Sequence, residues 1–237
     1  MQNITRIILT ICLLMFTNAL QANEVKTVKL AVENSWPPYA DKLGDGISKK
    51  IIQEAYNAEG INVSFVVVPY ARALKMAEHG IVDGAFNVTK QESTIAKFNF
   101  HNTPLLKATA SFYYPQNSTL DFLDIQDVPE QTSIALIIDY EYGEQYEALK
   151  HRYNEVRVST QHQIIELLKT GRIDMAIMFD EVAKFTLEEL NLPMNTIRKG
   201  HVNHVSDIYV AFTQKRDVSE KIRLLDSGLQ KTRRRAQ

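Results

Sequence analysis

TVKLAV at Thr27–Val32, NVSFVVV at Asn62–Val68 and GAFNV at Gly84–Val88 are three short β-rich apolar runs, and helical patterns fill the gaps between them. In Ile47–Glu59 the residues Ile47, Ile51 and Ala55 fall on one helical face, with Gly60 as the stop. Tyr70–His79 reads the same way and is closed by Gly80. The order strand, helix, strand, helix, strand predicts a mostly parallel sheet covered by helices, an α/β fold.

The pattern returns downstream. Ser133–Ile138, Val156–Val158 and Met175–Phe179 read as strands, and Gly143–Lys150, Gln161–Lys169 and Glu181–Leu190 as helices. Gly80-Ile81-Val82-Asp83-Gly84-Ala85-Phe86 echoes Gly171-Arg172-Ile173-Asp174-Met175-Ala176-Ile177, each a helix end, a turn ending in aspartate, then a buried strand. Two extended runs, Ala108–Tyr114 and Asp207–Phe212, look like crossings between halves, before a last helix over Val218–Arg234. The expected organisation is two lobes, residues 23–108 with 212–237 and residues 109–211, joined by two hinge strands. Strand-end loops from two separate sheets should then face each other across a gap.

Arg6, the apolar run Ile7–Phe16 and the small residues up to Ala22 predict a signal peptide over residues 1–22, cleaved after Ala22. Cys12 is the sole cysteine and lies in that run, so the mature chain would carry neither a disulfide nor a thiol nucleophile. Export without disulfides suggests a bacterial periplasm. A net charge of −1 supplies no basic face for nucleic acid. No later run approaches the roughly 18 apolar residues of a membrane helix.

The chemistry-bearing residues cluster just after strands, where open α/β sheets hold their ligands. Trp36-Pro37-Pro38-Tyr39 follows the first strand; its rings either line a pocket or pack on the lobe. Arg72 lies in the first turn of the second helix, where a cation is electrostatically disfavoured. A grip on a ligand carboxylate would explain it, and so would a salt bridge to Glu33. Asn87 and Thr89 stand at the end of the third strand and suit hydrogen bonds to a polar ligand or, for Thr89, helix capping. In the second half Tyr140 sits in the loop Asp139–Gly143, and Asp180 either holds a cationic ligand group or caps the helix after it. Catalytic signatures such as Gly-x-Ser-x-Gly, a P-loop or Gly-x-Gly-x-x-Gly do not occur. His201-x-x-His204, in an expected loop, lacks a third ligand, so no metal and no cofactor are expected. The basic run Lys231–Arg235 reads as a solvated helix end.

These residues in this order, from Val28–Glu33 through Trp36–Tyr39, Gly46-Ile47, Val68–Leu74 and Gly80–Gly84, resemble family 3 of the bacterial extracellular solute-binding proteins, the amino-acid-binding components of ABC importers. The resemblance implies a two-lobed periplasmic-binding-protein fold of type II with a small polar ligand held between the lobes, the family's aromatic position falling at Trp36 or Tyr39, its polar and hydroxyl positions at Asn87 and Thr89, and its acidic position at or next to Asp180; Glu33, Arg72 and Tyr140 complete the expected site from their own places in the sequence. It implies a monomer that works with a membrane permease, or in a sensory relative with a receptor, and no enzymatic activity. Dehydratases and peptidoglycan-cleaving proteins on the same scaffold are the enzymatic alternative. One stretch departs from the family: Thr89-Lys90-Gln91-Glu92-Ser93-Thr94 has no arginine where amino-acid binders place one for the α-carboxylate. Arg72 or Lys90 takes that duty, or the ligand is not an α-amino acid.

Overall fold

The computed structural model describes residues 27–236; the expected signal segment and its cleavage site lie outside them. In the first half β1 (Thr27–Val32), β2 (Asn62–Val67) and β3 (Gly84–Thr89) form a parallel array in the order β2-β1-β3. They alternate with α1 (Ile47–Asn57) and α2 (Tyr70–Glu78). The short α3 (Glu92–Ile95) and β4 (Phe98–Phe100), which carry no clear sequence signal, follow. The strand β5 (Leu106–Pro115) then leads into the second half.

There β6 (Ser133–Ile137), β7 (Asn154–Val158) and β8 (Met175–Phe179) repeat the plan, parallel in the order β7-β6-β8. Their helices are α4 (Glu144–Leu149), α5 (Gln161–Lys169) and α6 (Asp180–Glu189). The echo between the halves is physical. Asp83 precedes β3, donates its N–H to the Lys29 carbonyl and accepts the Lys29 N–H on its carboxylate at 2.8 Å. Asp174 precedes β8 and accepts the Ser133 N–H at 2.8 Å. The registers match, with Leu30 opposite Gly84 and Ile134 opposite Met175.

The long strand β9 (Ile197–Thr213) returns to the first half, and α7 (Ser219–Ala236) packs on α1. Gly228 permits that packing, since a Cβ there would lie 2.0 Å from the Ala55 carbonyl oxygen. Val28, Leu30 and Val32 of β1 point to this side, with Ile52, Leu225 and Leu229, while Ala31 points to the α2 side. Burying each of these leucines contributes roughly 1.5–3 kcal/mol. The basic end of α7 is more engaged than a solvated end. Lys231 meets Glu59 at 2.8 Å, and Arg233 donates to the Pro104 and Leu105 carbonyls.

The expectation of two separate sheets is corrected in one respect. β5 and β9 pair antiparallel from Leu106–Ile208 to Pro115–Ile197, so one hydrogen-bonded path runs β2-β1-β3-β9-β5-β8-β6-β7. The crossing strands are long enough to pair with each other where they leave the lobes. Register shifts at Ala110/Ser111 and Ser111/Tyr113 bend the pair. β9 also starts ten residues before the expected crossing, and residues 208–212 already pair with β3. Its first half reads Arg198-Lys199-Gly200-His201-Val202-Asn203-His204, too polar to signal a strand; it is held by backbone pairing while many of its side chains face water. His201 and His204 are therefore strand residues. His201 lies 3.7 Å from Asp121 and His204 meets Asn203, and no metal-binding group of three or more His, Cys, Asp or Glu occurs among the described residues. No described helix is long and apolar enough to cross a membrane.

Candidate functional site

The carboxyl ends of β1 and β3, the start of α2 and the loop after β6 converge where the lobes meet. Glu33 follows β1 directly and is 2% exposed. Tyr140, from the second lobe, donates its hydroxyl to Glu33 Oε2. Burial raises the Glu33 carboxyl from 4.5 to about 8; Tyr140 and the neighbouring Asn87 amide pull against that rise, and the nearby Glu141 adds to it.

Tyr70, the first residue of α2, donates to Glu141 Oε2 at 2.8 Å, and the Thr89 hydroxyl follows at 3.3 Å. Glu141 keeps part of its surface toward the outer cleft, yet burial of its carboxylate still lifts it to about 7; the Tyr70 and Thr89 hydroxyls and its own backbone N–H oppose that, and Glu147 adds to it. The Tyr70 and Tyr140 rings meet edge to face at 4.8 Å between centroids. Trp36 does the same with Phe179 at 5.1 Å and lies 4.3 Å from Tyr39. The two lobes thus touch through a belt of rings with two carboxylates inside it.

Local chain geometry fixes each member. Trp36-Pro37-Pro38-Tyr39 closes a turn through a Trp36–Ala40 bridge. The Pro38 and Tyr39 carbonyls accept the first N–H groups of α1, from Ile47 and Ser48, in place of a side-chain cap. Gly46 is required there, because a Cβ would lie 2.4 Å from the Tyr39 carbonyl oxygen. In the second lobe Arg157 donates to the Ile137 and Tyr140 carbonyls, and the Tyr142 hydroxyl accepts the Ile137 N–H. These bonds pin the loop that carries Tyr140 and Glu141.

Asn87 is the most telling residue. It sits in a β-bulge, where β3 slips register against β9 between Phe86 and Val88, at φ 67°. That left-handed conformation costs a residue with a Cβ about 1 kcal/mol or more. Asn87 is 5% exposed, and neither atom of its side-chain amide completes a hydrogen bond of normal geometry. The Trp36 indole nitrogen, on a residue 1% exposed, is also without a partner. Buried polar groups are nearly always bonded, and each orphan costs on the order of 1–3 kcal/mol. Both residues line an enclosed space of about 10 Å³ with Glu33, Tyr140, Glu141 and Phe179. Such a space holds about one water. A cavity of about 240 Å³ adjoins it at Glu33, and a cleft of about 560 Å³ at Glu141.

Of the eight residues expected from sequence, Glu33, Trp36, Asn87, Thr89 and Tyr140 line this space. Tyr39 packs behind Trp36. Asp180 lies apart, its carboxylate taken by the Tyr113 hydroxyl at 3.0 Å and Lys199 at 2.7 Å, and Phe179 rather than Asp180 is the helix cap. The Thr89 capping alternative gives way to Gln91, the N-cap of α3. Arg72 is exposed, lines none of these spaces and makes no ion pair with Glu33. The helix itself dictates this: two residues turn the chain by about 200°, so an inward Tyr70 sends Arg72 outward. Lys90 is exposed as well, its ammonium 5.7 Å from the Tyr209 ring centroid. Tyr70 and Glu141 are not picked out by sequence reasoning, although both stand in the strand-end segments it singles out.

No family model matches the chain, and no curated protein matches it in sequence. Solved structures do match in shape. A histidine kinase sensor domain with similarity to periplasmic binding proteins superposes with a TM-score of 0.75 at 15% identity, over 89% of this chain and 91% of its own. An ancestral arginine-binding protein bound to arginine gives 0.73 at 16% identity, over 89% and 93%. An amino acid ABC transporter substrate-binding protein from Streptococcus pneumoniae, bound to L-arginine, gives 0.72 at 17% identity, over 89% and 90%. At these identities the likeness establishes the architecture: the chain has the two-lobed fold of the periplasmic binding proteins.

Proposed function

We propose that the protein is a binding protein that captures a small polar molecule between its lobes and closes on it, in the periplasm after export. The observation that carries this is the set of poorly satisfied polar atoms at the interlobe junction, the Trp36 indole N–H without a partner and the Asn87 amide that meets Glu33 only outside normal hydrogen-bond geometry, beside the buried Glu33 carboxyl. A folded chain that keeps such groups away from water loses stability unless something binds them. The lobes, divided near residues 108 and 208 where β5 and β9 cross, part to admit the ligand, and closure adds Tyr140 and Glu141 to contacts already offered by Glu33, Trp36 and Asn87. A ligand shifts that equilibrium only through its preference for the closed form.

Delivery to an ABC permease is the reading the sequence resemblance favours, with the monomer as the working unit. Signalling to a membrane receptor is the second reading, supported by the likeness to a kinase sensor domain. Binding is favoured over catalysis because the solved structures of like shape are binding proteins and a sensor domain. The test is a thermal-shift screen of small polar metabolites, followed by small-angle scattering with each hit. A ligand at 100 times its dissociation constant should add about 2.7 kcal/mol of stability. Asn87→Ala should abolish the shift. Conversion of a bound compound into product would replace this reading with an enzymatic one.

A further inference from the structure

Granted that reading, the geometry points to a ligand class: we infer that the site takes a small organic cation without a carboxylate, an alkyl diamine or an amine carrying a guanidinium group, bridging Glu33 and Glu141. The residues around the enclosed space include two carboxylates and, among the described residues, neither lysine nor arginine. The side chains expected to answer a ligand carboxylate are elsewhere, Arg72 on the outer face of α2 and Lys90 over the Tyr209 ring, while Lys75, Lys97, Lys150 and Arg157 line the outer cleft beyond Glu141 and none of them borders the enclosed space. An α-amino acid seated in the enclosed space would crowd its carboxylate against the acidic side chains of Glu33 and Glu141, with no cation lining that space to offset it.

What the site offers instead is suited to positive charge. Glu33 and Glu141 receive side-chain hydroxyls, from Tyr140, Tyr70 and Thr89, and among the described residues no cation meets either carboxylate. Ammonium or guanidinium N–H groups would replace those donors with stronger, charge-assisted bonds, Glu33 giving up to solvent the proton that it keeps in the empty site. The rings of Trp36, Tyr70, Tyr140 and Phe179 enclose the same space, and their faces favour a desolvated cation. The Asn87 carbonyl oxygen, without a donor, can accept one more N–H.

The layout also favours a ligand charged at two points. Glu33 borders both the enclosed space and the cavity of about 240 Å³, while Glu141 borders the enclosed space and the cleft of about 560 Å³. A short chain with a cation at each end, lying through the junction as Tyr70 and Tyr140 give way, would satisfy one carboxylate from each lobe. Because Glu33 belongs to the first lobe and Glu141 to the second, such a ligand would draw the lobes together.

Calorimetric titration of the full exported chain with 1,4-diaminobutane and agmatine, against arginine, glutamine and glucose, tests this. The expected result is binding of at least one of the two cations, with arginine at least tenfold weaker than agmatine, from which it differs only by the carboxylate. Glu33→Gln and Glu141→Gln should each weaken the bound cation roughly tenfold to a hundredfold. Thermal unfolding of the unliganded variants separates a lost contact from a lost fold, since an uncharged isostere should leave the melting temperature equal or higher. Arginine or glutamine binding as tightly as the cations, or cation binding indifferent to both substitutions, overturns the ligand class and leaves the binding function intact. Binding of glucose alone does the same. If no compound in the panel or in the wider screen binds, the binding function falls with it.

Discussion

The two ends of the first-lobe sheet hold a buried carboxylate each, and they are built to opposite rules. At the amino end, Asp83 accepts the Lys29 N–H and pairs with Lys221 and Arg216, both at 2.7 Å. Burial alone would raise its pKa, but Lys221, the Lys29 N–H and Arg216 outweigh it and hold the carboxyl below its ordinary value. At the carboxyl end, Glu33 is as deeply buried, has no cation and is pushed up to about 8. Both carboxylates flank one lobe's parallel strands, and they differ in their partners, cations at Asp83 and neutral donors at Glu33. A satisfied charge ties elements together; an unsatisfied one stays ready for something that arrives from outside. The second lobe repeats only the strand-tying bond at its amino end, where the exposed Asp174 accepts the Ser133 N–H and hydroxyl, and at its carboxyl end it again places a carboxylate that meets hydroxyl donors, Glu141.

The sharpest way to break the comparison is at Asp83. Asp83→Ala strands the Lys29 N–H and leaves Lys221 and Arg216 without their shared partner. Removing one side of a buried ion pair costs roughly 3–5 kcal/mol, and the partial exposure of the two cations puts this case at the lower end. Urea unfolding should show that loss with ligand affinity unchanged; a loss under about 1 kcal/mol would mean the amino end is not the structural end.

The next effect is a pH dependence of opposite sign. The folded chain keeps a proton on Glu33 up to about pH 8, whereas an unfolded glutamate releases it near 4.5. Between those values unfolding releases a proton, so stability is full below the lower one and falls as pH rises through the upper one. Glu141 adds to the same trend up to about 7. The melting temperature should therefore decline across this window, by an amount corresponding to a few kcal/mol. Glu33→Gln should flatten much of that decline and leave the variant the more stable protein at the alkaline end. An unchanged slope in the variant would show that Glu33 is not the group responsible.

The amino ends are the more legible in sequence. The Gly-x-x-Asp echo singles out Asp83 and Asp174, because a recurring aspartate just ahead of a strand has one local task. Trp36 and Tyr140 are also readable, since they stand in loops just after strands, and Asn87 is readable from its place near the end of β3; all three line the space at the junction. Arg72 misleads when distance along the chain is counted without angle around the helix. Glu141 escapes notice because its meaning depends on Tyr70 and Thr89, which lie 71 and 52 residues away in sequence. The first half of β9 is invisible for another reason: its pairing with β5 is made by backbone, and its polar side chains carry no apolar pattern.

The smallest expected effect isolates the carboxyl end most cleanly. Asn87 holds a left-handed φ of 67° in a bulge and buries two amide atoms that complete no hydrogen bond of normal geometry, its one polar neighbour being Glu33. Asn87→Gly removes both costs, since glycine adopts that conformation freely and leaves no polar group behind. Against this stand the greater chain entropy of glycine in the unfolded state and a slightly larger cavity beside Glu33. The balance should be a gain of about 1 kcal/mol in unfolding free energy, measured by urea titration, with ligand binding lost or weakened at least tenfold. A residue conserving the fold could not behave in this way, because its removal would cost stability. If Asn87→Gly lowers the melting temperature and leaves binding intact, the bulge belongs to the scaffold, and the division between a structural and a functional end of the sheet does not hold at its most exacting point.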